Sequence, residues 1–133
     1  MPFGLPHRFY KTITFDAAAG SGGVGTVAIA SVTGGVCIHR MSVFCSTLLT
    51  GAGTIEMGTA NNTAGLIAQT TGTALDAEEF WQDATPEVEI SPAIVDQLVS
   101  ANIILTVGSA TITAGVIQIC IDWTPVTTDG SLV

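Results

Sequence analysis

The sequence predicts an all-β protein: a single antiparallel β-sandwich, most economically a jelly roll, preceded by an extended N-terminal arm. Three observations carry that expectation. Short apolar runs alternate with period two, most clearly in VIQICIDWTP (116–125), where Ile117, Ile119, Ile121 and Trp123 share one face. Clusters of Gly, Thr, Asn and Ser separate these runs at short intervals, and almost no stretch has helical spacing. Finally, two octapeptides 50 positions apart, GTANNTAG (58–65) and GSATITAG (108–115), are near copies, each set between apolar β-favouring runs. Seven or eight short strands with glycine-rich turns leave a sandwich or barrel as the way to bury one face of each strand.

Residues 1–11 read as an arm, because Pro2 and Pro6 suppress regular pairing. Phe3, Leu5, Phe9 and Tyr10 give it apolar anchors, and His7, Arg8 and Lys11 give it positive ones, so docking on a neighbour is expected. The sandwich then spans 12–133. KTITF (11–15) alternates, with Ile13 and Phe15 inward; AAAGSGG (17–23) is a loop; VGTVAIASV (24–32) is a second strand closed by Thr33-Gly34-Gly35. In VCIHRMSVFC (36–45) strict alternation puts Cys37, His39, Met41, Val43 and Cys45 on one face and Val36, Ile38, Arg40, Ser42 and Phe44 on the other. Strands at 54–58 and 65–69 flank the first repeat, and 103–107 and 116–121 flank the second. Each pair is expected to form a hairpin or β-corner with a six-residue connection, using the tolerance of Gly and Asn for positive φ. Residues 70–92 form a long acidic loop with room for a helical turn at 76–82. For 91–100, Ser91-Pro92 suits a helix start, but Ile90, Ile94, Val95 and Leu98 leave helix and strand both open.

Charge is the most informative part of the composition. Only 11% of residues are charged, less than half of a usual share of roughly 25%, and the net charge is −8. All three basic side chains lie in residues 1–40, with one acid, a balance of +2; residues 41–133 hold ten acids and no base, a balance of −10. A poorly charged surface suits a protein packed into an assembly, and the opposed charges are complementary between copies. Nucleic acid as a partner is argued against by the net charge. Residues 97–121 carry no charge, yet their period-two polarity and internal glycines read as a buried hairpin, not a membrane span. MPFGLPHRFYKT lacks the apolar core of a secretory leader. Cys37, Cys45 and Cys120 are odd in number and contain no CxxC pair. Cys37 and Cys45, on one strand, lie roughly 26 Å apart at about 3.3 Å per residue, so reduced structural thiols are expected.

Catalytic and metal motifs are not evident. His39 is the one histidine within the sandwich and reads as a core or interface residue, no G-x-S-x-G elbow accompanies it, and the two histidines and three cysteines lack zinc spacing. The repeats do not cradle phosphate, since a strand and not a helix follows each loop and no Lys lies beyond Lys11. Asp76, Glu78, Glu79, Asp83, Glu87, Glu89 and Asp96 hold seven of eleven carboxylates without the spacing of a calcium loop. They form a solvated or partner-facing acidic surface. Among them, Phe80-Trp81 is either the plug of one end of the sandwich or a contact for a partner. The expected site is therefore partner-binding only, with Phe3, Leu5, Arg8, Phe9 and Tyr10 in the arm and Phe80 and Trp81 in the loop, and with no catalytic, cofactor or metal residues.

The run from GTIEMGTANNTAGLIAQTT through ALDAEEFWQDATP to LVSANIILTVGSATITAGVIQICIDWTPVTTDG resembles small virion proteins of tailed bacteriophages, of the head decoration (cement) type. The matching points are Trp81, the two repeat turns, Trp123-Thr124-Pro125 and Asp129-Gly130, across roughly residues 50–130. That resemblance implies a jelly-roll-like protein, made in the host cytoplasm, that sits as dimers or trimers on the outer surface of a capsid. Its partners would be the major capsid protein and copies of itself. A tail or baseplate component, or a receptor- or glycan-binding module using Trp81 and Asn61-Asn62, is the alternative.

Overall fold

Alternation along the apolar runs becomes strand structure almost throughout the chain. The computed structural model describes residues 5–89 and 96–133. Among these residues lie β1 (His7–Thr14), β2 (Gly25–Ala30), β3 (Val32–Thr33), β4 (Val36–Thr50), β5 (Thr54–Thr59), β6 (Asn62–Thr71), β7 (Gln97–Val99), β8 (Ile103–Gly108), β9 (Ala114–Pro125) and β10 (Ser131–Leu132), with one 3-10 turn at Gly72–Ala74. Two four-stranded sheets have the orders β1-β9-β4-β7 and β2-β8-β5-β6. The antiparallel pairs β1–β9, β2–β8, β4–β7 and β5–β6 result from folding the chain back on itself once. Rolling that ribbon sends successive pairs to opposite sheets, which is the jelly-roll arrangement. The short β3–β10 pair fastens the end of the chain beside β2 and buries Leu132.

The core lies between the sheets. Ile117, Ile119, Ile121 and Trp123 of β9 point inward as the alternation predicts, against Ile13, Met41, Val43 and Cys45 of their own sheet and Val27, Ile55, Met57, Leu105 and Val107 of the other. β4 departs from strict alternation. Ile38 pairs with Trp123 and Arg40 with Asp122, so His39 is an extra residue, a β-bulge. The bulge resets the phase. Val36 and Ile38 face the core together with Met41, Val43 and Cys45, whereas Cys37, His39 and Arg40 are turned to the outer face. The face assignment expected for 36–45 is thereby corrected at its first half.

The arm is also shorter than expected. Residues 7–11 are not extended across a neighbour but pair with 119–123 of β9, because Phe9 and Ile13 match the inward positions Ile121 and Ile117. Phe3 lies outside the described residues. The 76–82 stretch is not helical. It runs beside β4, with hydrogen bonds from Glu78 N to Cys45 O, Cys45 N to Glu79 O and Trp81 N to Val43 O. Of the open segment 91–100, residues 97–99 form β7 on the other end of the same edge, and 90–95 lie outside the described residues. Between these two covers, Gln82 Nε2 donates to Met41 O at 2.8 Å, so the edge of β4 is capped piecewise.

The two octapeptides take different shapes. GTANNTAG is a tight hairpin whose strands extend to Thr59 and Asn62, leaving Ala60-Asn61 as the connection in place of the expected six residues. GSATITAG is not a hairpin: it carries the chain from β8 in one sheet to β9 in the other, so residues 97–121 do not fold on themselves. Ile112, which stands where the first copy has Asn62, explains the divergence. It is fully buried and plugs one end of the sandwich. Ile112 N donates to Gly22 O, Ala17 N to Ile112 O and Thr113 N to Thr50 O, which ties the crossing to two other loops. Gly22 and Gly51, both at positive φ, approach so closely that a Cβ on either would collide with the carbonyls of Ile112 and Thr111 respectively.

Candidate partner-binding face

The outer face of the sheet β1-β9-β4-β7 brings together three of the seven expected site residues, Arg8, Tyr10 and Phe80. Residues directly opposite in an antiparallel pair project to the same side. Arg8, Tyr10 and Thr12 of β1 therefore stand level with Asp122, Cys120 and Gln118 of β9, and these with Arg40, Ser42 and Phe44 of β4. Arg8 Nε donates to Asp122 at 2.7 Å, and its Nη1 lies 3.4 Å from the Tyr10 hydroxyl. Those two hydrogen bonds, with the negative charge of Asp122, hold the guanidinium firmly protonated. The pair is exposed, so it fixes the orientation of Arg8 more than it stabilises the fold. Burial raises the Cys120 thiol above its usual range, and Asp122 adds to the effect.

The other anchors separate. Leu5 and Tyr10 are exposed, but Phe9 is turned against the core and is half-buried. Phe80 bridges Phe44 on the outer face with ring centroids 5.2 Å apart. Trp81, its neighbour, faces the other way and is 0% exposed, with Nε1 donating to Ala68 O at 3.1 Å. Trp81 is thus the plug of the sandwich end and not a partner contact. Pairing beside β4 dictates this, since adjacent residues of an extended segment point to opposite faces.

Charge is distributed across this sheet with a clear direction. β1, at one edge, carries His7, Arg8 and Lys11; its second edge meets no strand among the described residues. The segment capping the opposite edge at β4 carries Asp76, Glu78, Glu79, Asp83 and Glu87. The one sheet is therefore basic on one side and acidic on the other.

At the bulge a second constellation forms that the sequence reading kept apart. His39 Nε2 lies 2.9 Å from Thr124 Oγ1, and His39 Nδ1 lies 2.6 Å from Asp96 Oδ1 and 3.9 Å from Cys37 Sγ. Burial raises the Cys37 thiol above its usual range, and the negative charge of Asp96 adds to this. A depression of about 410 Å³ opens here, lined by Cys37, His39, Asp96, Leu98 and Thr124. On the other side of His39 lies one of about 440 Å³, lined by Pro6, His7, Arg8, His39 and Asp122, where His7 stacks on Trp123 at 4.6 Å. Cys37 and His39, two apart on a strand, were the visible part of this cluster. Asp96 and Thr124 reach it only through the β4–β7 and β4–β9 pairings. Asn61 and Asn62 line a separate shallow depression of about 220 Å³ with Gln97 and Ser100.

No known protein-family model matches the chain, and no curated protein matches it by sequence. Among the described residues, no helix is long and apolar enough to cross a membrane.

Proposed function

We propose that this protein is a structural component of a bacteriophage virion, a decoration protein that binds the outer surface of the head and stabilises the shell. The observation that carries the reading is the charge direction of the outer sheet. A basic edge at β1, which no further strand pairs among the described residues, and an acidic edge at 76–87 fit a contact in which one copy's β1 meets the far edge of the next. Such a contact is heterologous and closes into a ring when its rotation allows, which suits the trimer among the expected oligomers. The exposed Arg8 and Tyr10 and the half-buried Phe80 are the side chains assigned to contacts with sister subunits and the major capsid protein. Binding to the assembled shell and not to its free subunits would stabilise the shell by mass action. The protein acts in this reading without catalysis, a cofactor, nucleic acid or membrane.

The test is co-sedimentation of the purified protein with undecorated heads, together with its native mass. A stable oligomer that pellets with heads supports the proposal; a monomer that stays in the supernatant overturns it. The amide-lined depression at Asn61, Asn62 and Gln97 favours one second reading, a glycan-binding tail or receptor module. Retention on a glycan array, lost in Asn61→Ala/Asn62→Ala, would select it. Trp81 takes no part in that reading, being enclosed.

A further inference from the structure

We propose that Cys37, His39 and Asp96 form a binding site for a divalent transition metal ion of the zinc class. Their ligand atoms, Cys37 Sγ, His39 Nδ1 and an Asp96 carboxylate oxygen, all lie within 4.8 Å of one another. Each arrives from a different constraint: Cys37 from the paired end of β4, His39 from the bulge, and Asp96 from the residue that leads into β7. Bulges are a recurrent means of re-aiming a side chain into a site.

The hydrogen bonding of the metal-free cluster does not account for all three groups. Nδ1 carries at most one hydrogen, and the carboxylate at 2.6 Å takes it. The Cys37 sulfur lies 3.9 Å from the same nitrogen, so the thiol is held by a long, weak contact at most. A cation at the centre satisfies sulfur, nitrogen and oxygen together. Tetrahedral zinc, with bonds of about 2.0–2.3 Å, needs ligand atoms about 3.3–3.7 Å apart. Drawing Asp96 slightly back and Cys37 slightly in achieves that, and Asp96 is the most exposed of the three and the freest to move. The donor set selects the metal: thiolate and imidazole disfavour magnesium and calcium, which require oxygen ligands.

Thr124 completes the arrangement. With Nδ1 on the metal, Nε2–H donates to Thr124 Oγ1 at 2.9 Å, which fixes the ring plane and the tautomer, as second partners of metal-bound histidines commonly do. The side of the site not occupied by protein ligands opens on the 410 Å³ depression beside Leu98, leaving a fourth position for water or an incoming anion. This inference stands apart from the proposed virion role.

The experiment is titration of the reduced, chelator-treated full-length protein with cobalt(II), followed by displacement with zinc. The expected result is a single equivalent bound, with a thiolate-to-cobalt charge-transfer band and d–d absorption of four-coordinate intensity, both abolished by zinc. Asp96→Asn, an exposed change that spares the fold, should weaken binding at least tenfold. His39→Ala should do the same, Cys37→Ser should remove the charge-transfer band, and Thr124→Val should weaken binding about tenfold at unchanged stoichiometry. Cys120→Ser and His7→Ala should leave the titration unaltered. Absence of binding, a charge-transfer band that persists in Cys37→Ser, or affinity indifferent to Asp96→Asn in the folded protein each overturns the site.

Discussion

Ile112 shows how far one side chain decides local shape. Five of the eight positions in GTANNTAG and GSATITAG are identical, yet one copy turns within a sheet and the other crosses between sheets. The glycines and threonines made a reversal legible in both, and they allow either outcome. The choice is made by a buried Ile in one copy and an exposed Asn in the other, which matters only once a second sheet exists to be plugged. Ile112→Ala should therefore cost about 2–5 kcal/mol, read as a shift of the chemical denaturation midpoint with unchanged slope. Trp81→Ala should cost about 3–5 kcal/mol while leaving the affinity of the folded fraction for heads unchanged, since the ring touches no outer surface. Asp16 gives a pH signature. The Ser21 hydroxyl, and then the Ala18 N–H, hold its carboxyl below its ordinary 3.8. A group depressed in the folded state contributes stability above its unfolded pKa and loses it as pH falls through the folded one. Ser21→Ala should lower the melting temperature at neutral pH, and the deficit should shrink on acidification below 3.8.

At the scale of elements, β9 was fully legible and β4 only in part. β9 is central, carries one apolar and one polar face, and has nothing to interrupt its period. β4 is apolar on both faces near its start, because Cys37 is covered from outside while Val36 and Ile38 face the core. Such a pattern does not report its phase, and a bulge adds one residue without any local marker. β1 is only partly legible for a related reason: Pro2 and Pro6 suggest an arm, but both precede His7, where pairing begins. Deleting His39 should leave Ile38 opposite Trp123 and Arg40 opposite Asp122 in an unbroken ladder with Val36 and Ile38 still inward. The unfolding free energy in urea titration should therefore fall by far less than the roughly 1.5–3 kcal/mol that exposing each of those side chains would cost. Removing residues 1–11, by contrast, should destabilise the sandwich, since it strips five of the residues paired with β9; removal of 1–6 spares every such pair.

For the whole molecule, the fold class was readable because it depends on many weak signals that agree. The charge split between the two parts of the chain was readable too, but its meaning required the topology. The sequence shows a basic start and an acidic remainder; the sheet order turns that into opposite edges of one surface. The double reversal Arg8→Glu/Lys11→Glu should remove head binding and self-association while preserving the melting temperature to within a few degrees. Wild-type association should weaken as salt rises, because the facing charges are exposed and screened. Sedimentation velocity at low and high ionic strength reads both effects. The Cys37–His39–Asp96 cluster was the least legible part, being assembled from segments 57 residues apart.

The pairing of His7 with Trp123 also sets a timetable for the nascent chain. β1 leaves the ribosome well before β9, the strand it pairs with, and β2 waits similarly for β8. Until β8 and β9 arrive, β2 and β1 have no partner, and among the described strands only the β5–β6 hairpin can close from neighbouring residues. Closure of the sheets thus awaits β9 and carries a large loop entropy, which places folding in the slow range of milliseconds to seconds typical of non-local β topologies. Over that interval the unpaired HRFYKTIT strand is open to other chains, and the positive charges of Arg8 and Lys11 keep identical copies apart until β9 arrives.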